Sequence, residues 1–275
     1  MSAFVATWAL PAVLMLLAGL VSGFAAGLFG IGGGFVVVPV LFVMLPLLGG
    51  SSDSIAHVAI GTSLATIAIT ALRSVQAHAR RDAVDFDLLK AWAPWIVLGV
   101  GAGVALASRI GGNLLALIFG AGVGLMSLHF LFPALNGKRL SDELPGGYLR
   151  AGIAGGLGAF SSLLGIGGGT IAIIVMTLCG KSIHRSIATA AGIGFIIAVP
   201  GTIGFIAIGL SAHDLPFGSI GYVNMIATLA IVSTSIVSAP LGAAMAHRLP
   251  AAVLNPVFGL YLLFVSVMMI RHGLA

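Results

Sequence analysis

The stretch Leu28-Phe29-Gly30-Ile31-Gly32-Gly33-Gly34 cuts through apolar sequence on both sides, and it returns as Leu163-Leu164-Gly165-Ile166-Gly167-Gly168-Gly169 at an offset of 135 (28 to 163). A run this rich in glycine breaks a helix, because each glycine is worse than alanine in a helix interior by up to about 1 kcal/mol. The apolar elements that follow are short. Residues 35–48 would extend about 21 Å and residues 170–179 about 15 Å as helix, against a hydrocarbon thickness of about 30 Å. Each motif therefore reads as the tip of a helical hairpin dipping into a membrane from one side, or else as a break ahead of a short full span; the sequence leaves both open.

Two further repeats keep the same order. His57-x2-Ile60-x-Thr62 returns as His184-x2-Ile187-x-Thr189, Gly103 to Arg109 resembles Gly242 to Arg248, and Phe119-Gly120 resembles Phe258-Gly259. Three matches in register imply a duplication. Apolar runs divide the chain into ten elements, 9–29, 35–48, 56–77, 88–108, 113–132, 149–164, 170–179, 185–209, 219–246 and 253–270. The longest polar connection, Asn136 to Gly147, lies near the middle. The chain thus reads as a first membrane repeat over 1–135, a linker over 136–147 and a second repeat over 148–275, each of five elements. The expected fold class is all-α, a polytopic integral membrane protein. The N-terminal run to Gly23 has no Lys or Arg ahead of it and no convincing cleavage site, and it reads as a retained first span.

Composition agrees. Of 275 residues, 59% are hydrophobic and 7% charged, mean hydropathy is +1.19, and there are 40 glycines. A soluble fold is excluded by the charge content alone. The small residues suit close helix approach in a bilayer, and the ten-residue alternation of a membrane barrel is absent. Stripes such as Gly19-x3-Gly23-x3-Gly27, Gly99-x3-Gly103, Gly120-x3-Gly124 and Gly152-x3-Gly156 read as helix-packing faces. The net charge of +5 is spread thinly between apolar stretches, which excludes a nucleic-acid surface and fits loop charges at a lipid bilayer. Cys179 is the single cysteine, so no intramolecular disulfide exists.

An odd number of elements per repeat places the second repeat upside down relative to the first. Alternating the loops puts Arg73, Arg80, Arg81, Lys90, Lys138, Arg139, Arg150, Lys181, Arg185 and Arg248 on one face, with Arg109 and Arg271 on the other. By the positive-inside rule the first face is cytoplasmic and both termini are external. Inverted repeats around broken helices are an architecture of secondary transporters.

The chemistry available in the membrane interior is equally selective. Only seven carboxylates exist, Asp53, Asp82, Asp85, Asp87, Asp142, Glu143 and Asp214, and none lies well inside an apolar element. Carriers of cations usually keep acidic groups there, so a cation substrate is disfavoured and a small anionic substrate favoured. A glycine tip leaves N–H groups without intrahelical acceptors at the start of the next helix, where the dipole also attracts an anion. Gly30, Gly32, Gly33, Gly34, Gly165, Gly167, Gly168 and Gly169 are accordingly the candidate substrate contacts. Two such tips facing each other would form an anion cage without a cation. Thr62, Ser63, Thr170 and Thr189 could add hydroxyl donors, although hydroxyls in membrane helices also bond back to their own carbonyls. Arg73, inside an apolar helix, either attracts the anion or snorkels to the surface. His57 and His184 are candidates for a gating or proton-linked role, or are interfacial residues. No metal-ligand cluster, cofactor motif, intramembrane protease motif or catalytic motif is present, so neither metal, cofactor nor enzyme activity is expected. The many small-residue faces also allow a homodimer.

The paired LFGIGGG (followed by VVVPVL) and LGIGGGT motifs, together with the repeated His-x2-Ile-x-Thr, resemble the sulfite exporter TauE/SafE family of bacterial and archaeal membrane proteins over nearly the whole chain. The resemblance implies a permease of the prokaryotic inner membrane that moves sulfur-containing anions such as sulfite, sulfoacetate or other organosulfonates, generally outward. A passive anion channel and a non-transporting membrane subunit or assembly factor are the alternatives.

Overall fold

The computed structural model describes residues 2–132, 141, 144–246 and 251–274, with side chains from Leu10 onward except those of 251–255. The expected linker and the charges Lys138, Arg139 and Arg248 lie outside the described residues or at their edge. Ten helices follow one another: α1 Ser2–Phe29, α2 Gly34–Met44, α3 Ser52–Ala79, α4 Phe86–Ala107, α5 Gly112–Leu131, α6 Gly147–Leu164, α7 Gly169–Leu178, α8 Ile183–Gly209, α9 Met225–Met245 and α10 Ala251–Leu274. A 3-10 turn, Leu45–Leu48, ends α2. Seven helices among the described residues are long and apolar enough to cross a membrane: α1, α3, α4, α5, α8, α9 and α10. The chain is a polytopic all-α membrane protein.

One expected element starts late. Residues 219–224 form not helix but a two-residue hairpin, β1 (Ser219–Ile220) against β2 (Val223–Asn224). Gly218 and Gly221 adopt positive φ there, and the Asn224 side chain then caps α9 by accepting from the Ala227 N–H (2.9 Å).

Helix pairing is symmetrical between the two halves of the chain. α1 packs along α9 as α6 packs along α4, α3 meets α9 as α8 meets α4, and α2 meets α3 as α7 meets α8. α3 pairs with its own counterpart α8, and α5 with α10. Exchanging α1–α5 with α6–α10 leaves this set of pairs unchanged.

The glycine stripes fix several of these contacts. A Cβ on Gly19, Gly23 or Gly27 would meet Ile231 and Thr234, Ser235 and Ser238, and Ala239 and Ala243 in turn, so α1 and α9 run parallel with their backbones in near contact. Gly99 meets Gly155, and Gly103 meets Ala159 and Ser162, so α4 and α6 also run parallel. Gly120 and Gly124 pack on Ser266 of α10. The stripe Gly152-x3-Gly156 departs from expectation: nothing lies near either Cα, and α6 instead presents Gly155 and Gly158 to α4. Helical spacing alone identifies a small-residue face but not which of two adjacent faces the partner takes.

These contacts show how each glycine motif turns the chain. We call the end of the bundle where α3 begins the upper end. α2 and its 3-10 turn finish there, with the Phe217 N–H donating to the Leu48 carbonyl (2.9 Å) and the Ser51 N–H to that of Asp214 (2.8 Å). α1 runs away from the same end, parallel to α9, and Gly33 folds back against Ser22 of α1. α1 and α2 are therefore arms of one hairpin opening at the upper end. α6 and α7 form the second, opening at the lower end, where Lys181 and Arg185 pair with Asp85 (3.6 and 3.5 Å). Arg80, Arg81, Lys90, Arg150, Lys181 and Arg185 gather at the lower end, and Arg109 and Arg271 at the upper.

Candidate functional site

At the centre the two hairpin tips touch. Positive φ at Gly30, Gly32 and Gly33 (66°, 82° and 77°) and at Gly165 and Gly168 (62° and 65°) turns each chain back on itself. Left-handed backbone of this kind is open to glycine with little penalty and disfavours other residues by about 1–2 kcal/mol. A Cβ on Gly32 would lie 3.1 Å from the Gly167 Cα, and one on Gly167 3.1 Å from the Ile31 carbonyl oxygen. The contact is reciprocal: the Gly165 carbonyl sits over Gly34 at the start of α2, and the Gly30 carbonyl sits over Gly169 at the start of α7. The cage expected between the tips is thus closed by the tips themselves, each placing a carbonyl against the helix start of the other. Ile67 of α3 packs against Gly32 and Gly34, and Gly194 of α8 lies beside Gly167, so the crossing lies near the middle of both long helices.

The tips differ in what surrounds them. Tip one is pinned by aromatic rings: Phe29 stacks on Phe258 (4.9 Å), Phe130 meets both, Phe35 meets Phe258 edge-on (6.2 Å), and the Tyr261 hydroxyl donates to the Phe35 carbonyl (3.2 Å). Tip two carries hydroxyls. Ser161 Oγ and Thr170 Oγ1 are both buried without a hydrogen-bond partner, and Ser161 Oγ lies 2.8 Å from where a Gly168 Cβ would stand. The first helical bond of α7 runs from the Ala172 N–H to the Gly168 carbonyl, so Gly169, Thr170 and Ile171 begin the helix with N–H groups that have no acceptor inside it. At the matching positions of tip one stand Ala26 and Phe35. Ser161 belongs to no sequence motif; its only signal is a hydroxyl four residues before Gly165 where the first repeat has an alanine.

The remaining candidates separate. Ser63 is brought to the centre, its Oγ donating to the Gly165 carbonyl (2.8 Å). Thr62 and Thr189 are used alike away from the tips. The Asn224 N–H donates to Thr62 Oγ1 (2.8 Å), and the Asp85 N–H donates to Thr189 Oγ1 (3.0 Å). Each threonine thereby latches the N-cap residue that starts α9 or α4, a helix of the opposite repeat. Arg73 is exposed on α3, six residues beyond Ile67, and is not at the tips. His184 is exposed at the lower end, whereas His57 is buried near the upper end, its Nε2–H donating to the Ala107 carbonyl (3.0 Å) and its ring lying on Tyr222 (4.9 Å). Beside His57 a cavity of about 500 Å³ opens at the upper end.

The family model for the sulfite exporter TauE/SafE matches residues 15–269. The chain belongs to the sulfite exporter TauE/SafE family. It is similar to a probable membrane transporter protein of Haemophilus influenzae, 33% identical over 94% of this chain and 97% of the relative. It also resembles one of Xylella fastidiosa, 29% identical with 92% of each covered, and YunE of Bacillus subtilis, 25% identical over 95% of this chain and 98% of the relative. No solved structure matches significantly. TauE/SafE proteins are membrane transporters rather than enzymes, and this chain is one of them.

Proposed function

We propose that this TauE/SafE transporter moves small sulfur-containing oxyanions, sulfite and organosulfonates, outward across the prokaryotic inner membrane by alternating access at the glycine crossing. The observation that carries the reading is tip two. Two buried, unpartnered hydroxyls there converge with the uncapped start of α7, while the described side chains around it bring no carboxylate. An oxyanion accepts hydrogen bonds from both sources at once, and the helix dipole adds about 0.3–1 kcal/mol, up to about 2 in buried geometry. Gly165, Gly167, Gly168 and Gly169 would supply the close backbone approach, with Ser63 holding the tip. Gly30, Gly32, Gly33 and Gly34 form the opposing surface.

With the tips in contact, the site is shut. Loading requires the hairpins to part, and because they open toward opposite ends, a rocking motion of one repeat against the other exposes the crossing to one side at a time. In this reading the two halves act as inverted repeats, the basic lower end is cytoplasmic, and both termini face outward.

Vesicles containing the purified chain test the proposal. They should exchange labelled sulfite for sulfite, thiosulfate or sulfoacetate with saturation and counterflow. Ser161→Ala with Thr170→Val should raise the half-saturating concentration about tenfold or more, the expectation for losing two buried donors at roughly 1 kcal/mol or above apiece. Linear flux without counterflow would identify a passive channel instead, and a chain that moves no anion would be a non-transporting subunit.

A further inference from the structure

We infer that the joint between the repeats at the lower end is a charge lock on Asp85, and that an oxyanion arriving from that end opens it by drawing Lys181 and Arg185 away from the carboxylate. The inference rests on the transport reading for the class of anion and goes beyond it by giving the lower mouth a contact site of its own.

The two ends of the bundle close the same joint in different chemistry. At each end the residue that caps a helix of one repeat gives its N–H to a threonine of the other, Asn224 to Thr62 above and Asp85 to Thr189 below. Each cap also accepts from its own first turn, Asn224 from the Ala227 N–H (2.9 Å) and Asp85 from the Leu88 N–H (3.1 Å). The rest of the side chain differs. Asn224 is fully buried and its amide donates to the Phe217 carbonyl (2.9 Å) and to Ser219 Oγ (3.1 Å), while backbone bonds at Leu48 and Ser51 hold the connection between α2 and α3. No charge takes part in these bonds. The corresponding connection between α7 and α8 is held by charge: Oδ2 of Asp85 faces both Lys181 Nζ (3.6 Å) and Arg185 Nε (3.5 Å).

These separations exceed the roughly 2.7–2.9 Å of a charge-assisted hydrogen bond, so the contacts are electrostatic and exchangeable. The Asp85 side chain is 13% exposed, but those of Lys181 and Arg185 are 35% and 51% exposed. The two cations thus face the carboxylate on one side and solution on the other, within reach of a second oxyanion. Two cations against one carboxylate also leave positive charge in excess. Displacement does not strand Asp85, because the Leu88 N–H and the start of α4 still hold its charge. The position leads inward as well. Ser186, beside Arg185, is fully buried with its Oγ unpartnered, and a Cβ on Gly30 of tip one would meet the carbonyl of Ile187. The lock therefore stands two residues along α8 from a hairpin tip, at the base of the hairpin whose short α7 carries Thr170 at its other end.

Cys179, the single cysteine, ends α7 two residues before Lys181 and is buried, so its labelling by maleimide reports whether the joint is closed. Asp85→Asn keeps the cap acceptor and removes the charge, and Lys181→Gln with Arg185→Gln removes the other side of the lock. Both should label about two- to tenfold faster than the wild type in detergent, the range expected for losing two partly exposed ion pairs. Lys181 also pulls the thiol pKa down, and the two variants change that pull in opposite senses, so a faster rate in both reads opening. In the wild type, sodium methanesulfonate should accelerate labelling beyond sodium chloride at equal ionic strength, a comparison that needs no variant to fold. Neither lock variant should respond to the exchange of salts, whereas Ser161→Ala with Thr170→Val should respond as the wild type does. A wild-type rate in Asp85→Asn, or acceleration in that variant alone, would overturn the lock. Equal effects of the two salts would reduce the response to screening, and loss of the response in the Ser161 and Thr170 variant would move the anion to the crossing; either overturns the anion's part. The full labelling pattern without exchange of any anion in vesicles would instead overturn the transport reading and leave the lock standing.

Discussion

Replacing Gly168 with alanine and, separately, Gly169 with alanine divides backbone strain from tip contact. Gly168 has φ +65° and caps α7 in the left-handed region. Its new methyl would stand 2.6 Å from Ile197 Cδ1 and 2.8 Å from Ser161 Oγ. The conformation costs about 1–2 kcal/mol and the overlap about 1–3, so Gly168→Ala should destabilise by about 2–5 kcal/mol. Gly169 has no positive φ, yet its methyl would run into the Gly30 carbonyl, a backbone atom of the other tip that cannot swing aside. Gly169→Ala should therefore wedge the tips apart rather than strain its own backbone. Gly156→Ala is the control: exposed, helical and with nothing nearby, it should be neutral or stabilising by up to about 1 kcal/mol. Thermal unfolding in detergent and sulfite exchange in vesicles read the three together. Gly168→Ala should lower both, Gly169→Ala should change exchange more than stability, and Gly156→Ala should change neither downward. If Gly168→Ala unfolds and transports like the wild type, or Gly156→Ala is equally damaging, the glycines are not held by the geometry described above.

Other consequences are smaller. Thr62→Val and Thr189→Val each strip the acceptor from an N-cap N–H and should cost about 1–3 kcal/mol in thermal unfolding, with serine at either position restoring most of it. Arg73→Ala should leave sulfite exchange within about twofold, since the side chain is exposed and away from the tips; a loss comparable to that of the paired Ser161 and Thr170 variants would place the guanidinium on the anion path. Burial pushes the Cys179 thiol up, with Lys181 pulling weakly the other way, so maleimide labelling of native protein should be slow at neutral pH and accelerate as pH rises; rapid labelling at pH 7 would contradict the buried placement.

Much of the fold could be read from the chain because the repeated motifs leave their mark in order as well as in composition. The glycine runs marked both breaks, and hydropathy found eight of the ten helix starts within a few residues, the exceptions being α1, which begins earlier, and α9, which begins later. What escaped depends on the partner rather than on the element. Residues 219–224 are apolar enough for helix, but the glycines at 218 and 221 and the capping Asn224 stop it. On α6 the stripe Gly152-x3-Gly156 and the face of Gly155 and Gly158 look equally small in sequence, and only the position of α4 chooses between them. The threonines of the repeated His-x2-Ile-x-Thr offered hydroxyls to a substrate or to their own helix; each instead receives an N–H from a helix of the other repeat, a bond no single-helix argument anticipates.

The same comparison explains why the duplicated motif is a poor guide to chemistry even though it is a good guide to fold. Pairings that every copy needs for folding stay matched: Thr62 with Asn224 answers Thr189 with Asp85, and the Gly165 carbonyl over Gly34 answers the Gly30 carbonyl over Gly169. Polar groups not needed for pairing are unequal. α3 carries buried Ser63, Thr66, Thr70, Ser74 and His78, whereas the same register of α8 reads Ala190, Ile193, Ile197, Gly201 and Phe205. Ser161 and Thr170 stand against Ala26 and Phe35, and buried His57 against exposed His184. A path lined by identical halves would bind its anion equally from both sides. Restricting the unpartnered hydroxyls to tip two leaves the two sides of the crossing chemically unequal in an otherwise symmetrical frame, which under the proposed transport reading would give the two sides different half-saturating concentrations. Moving the hydroxyls tests that argument. Ala26→Ser with Ser161→Ala would shift one hydroxyl from the second tip to the first, and the ratio of half-saturating concentrations measured from the two sides of the vesicle should change. An unchanged ratio would mean that the asymmetry lies elsewhere.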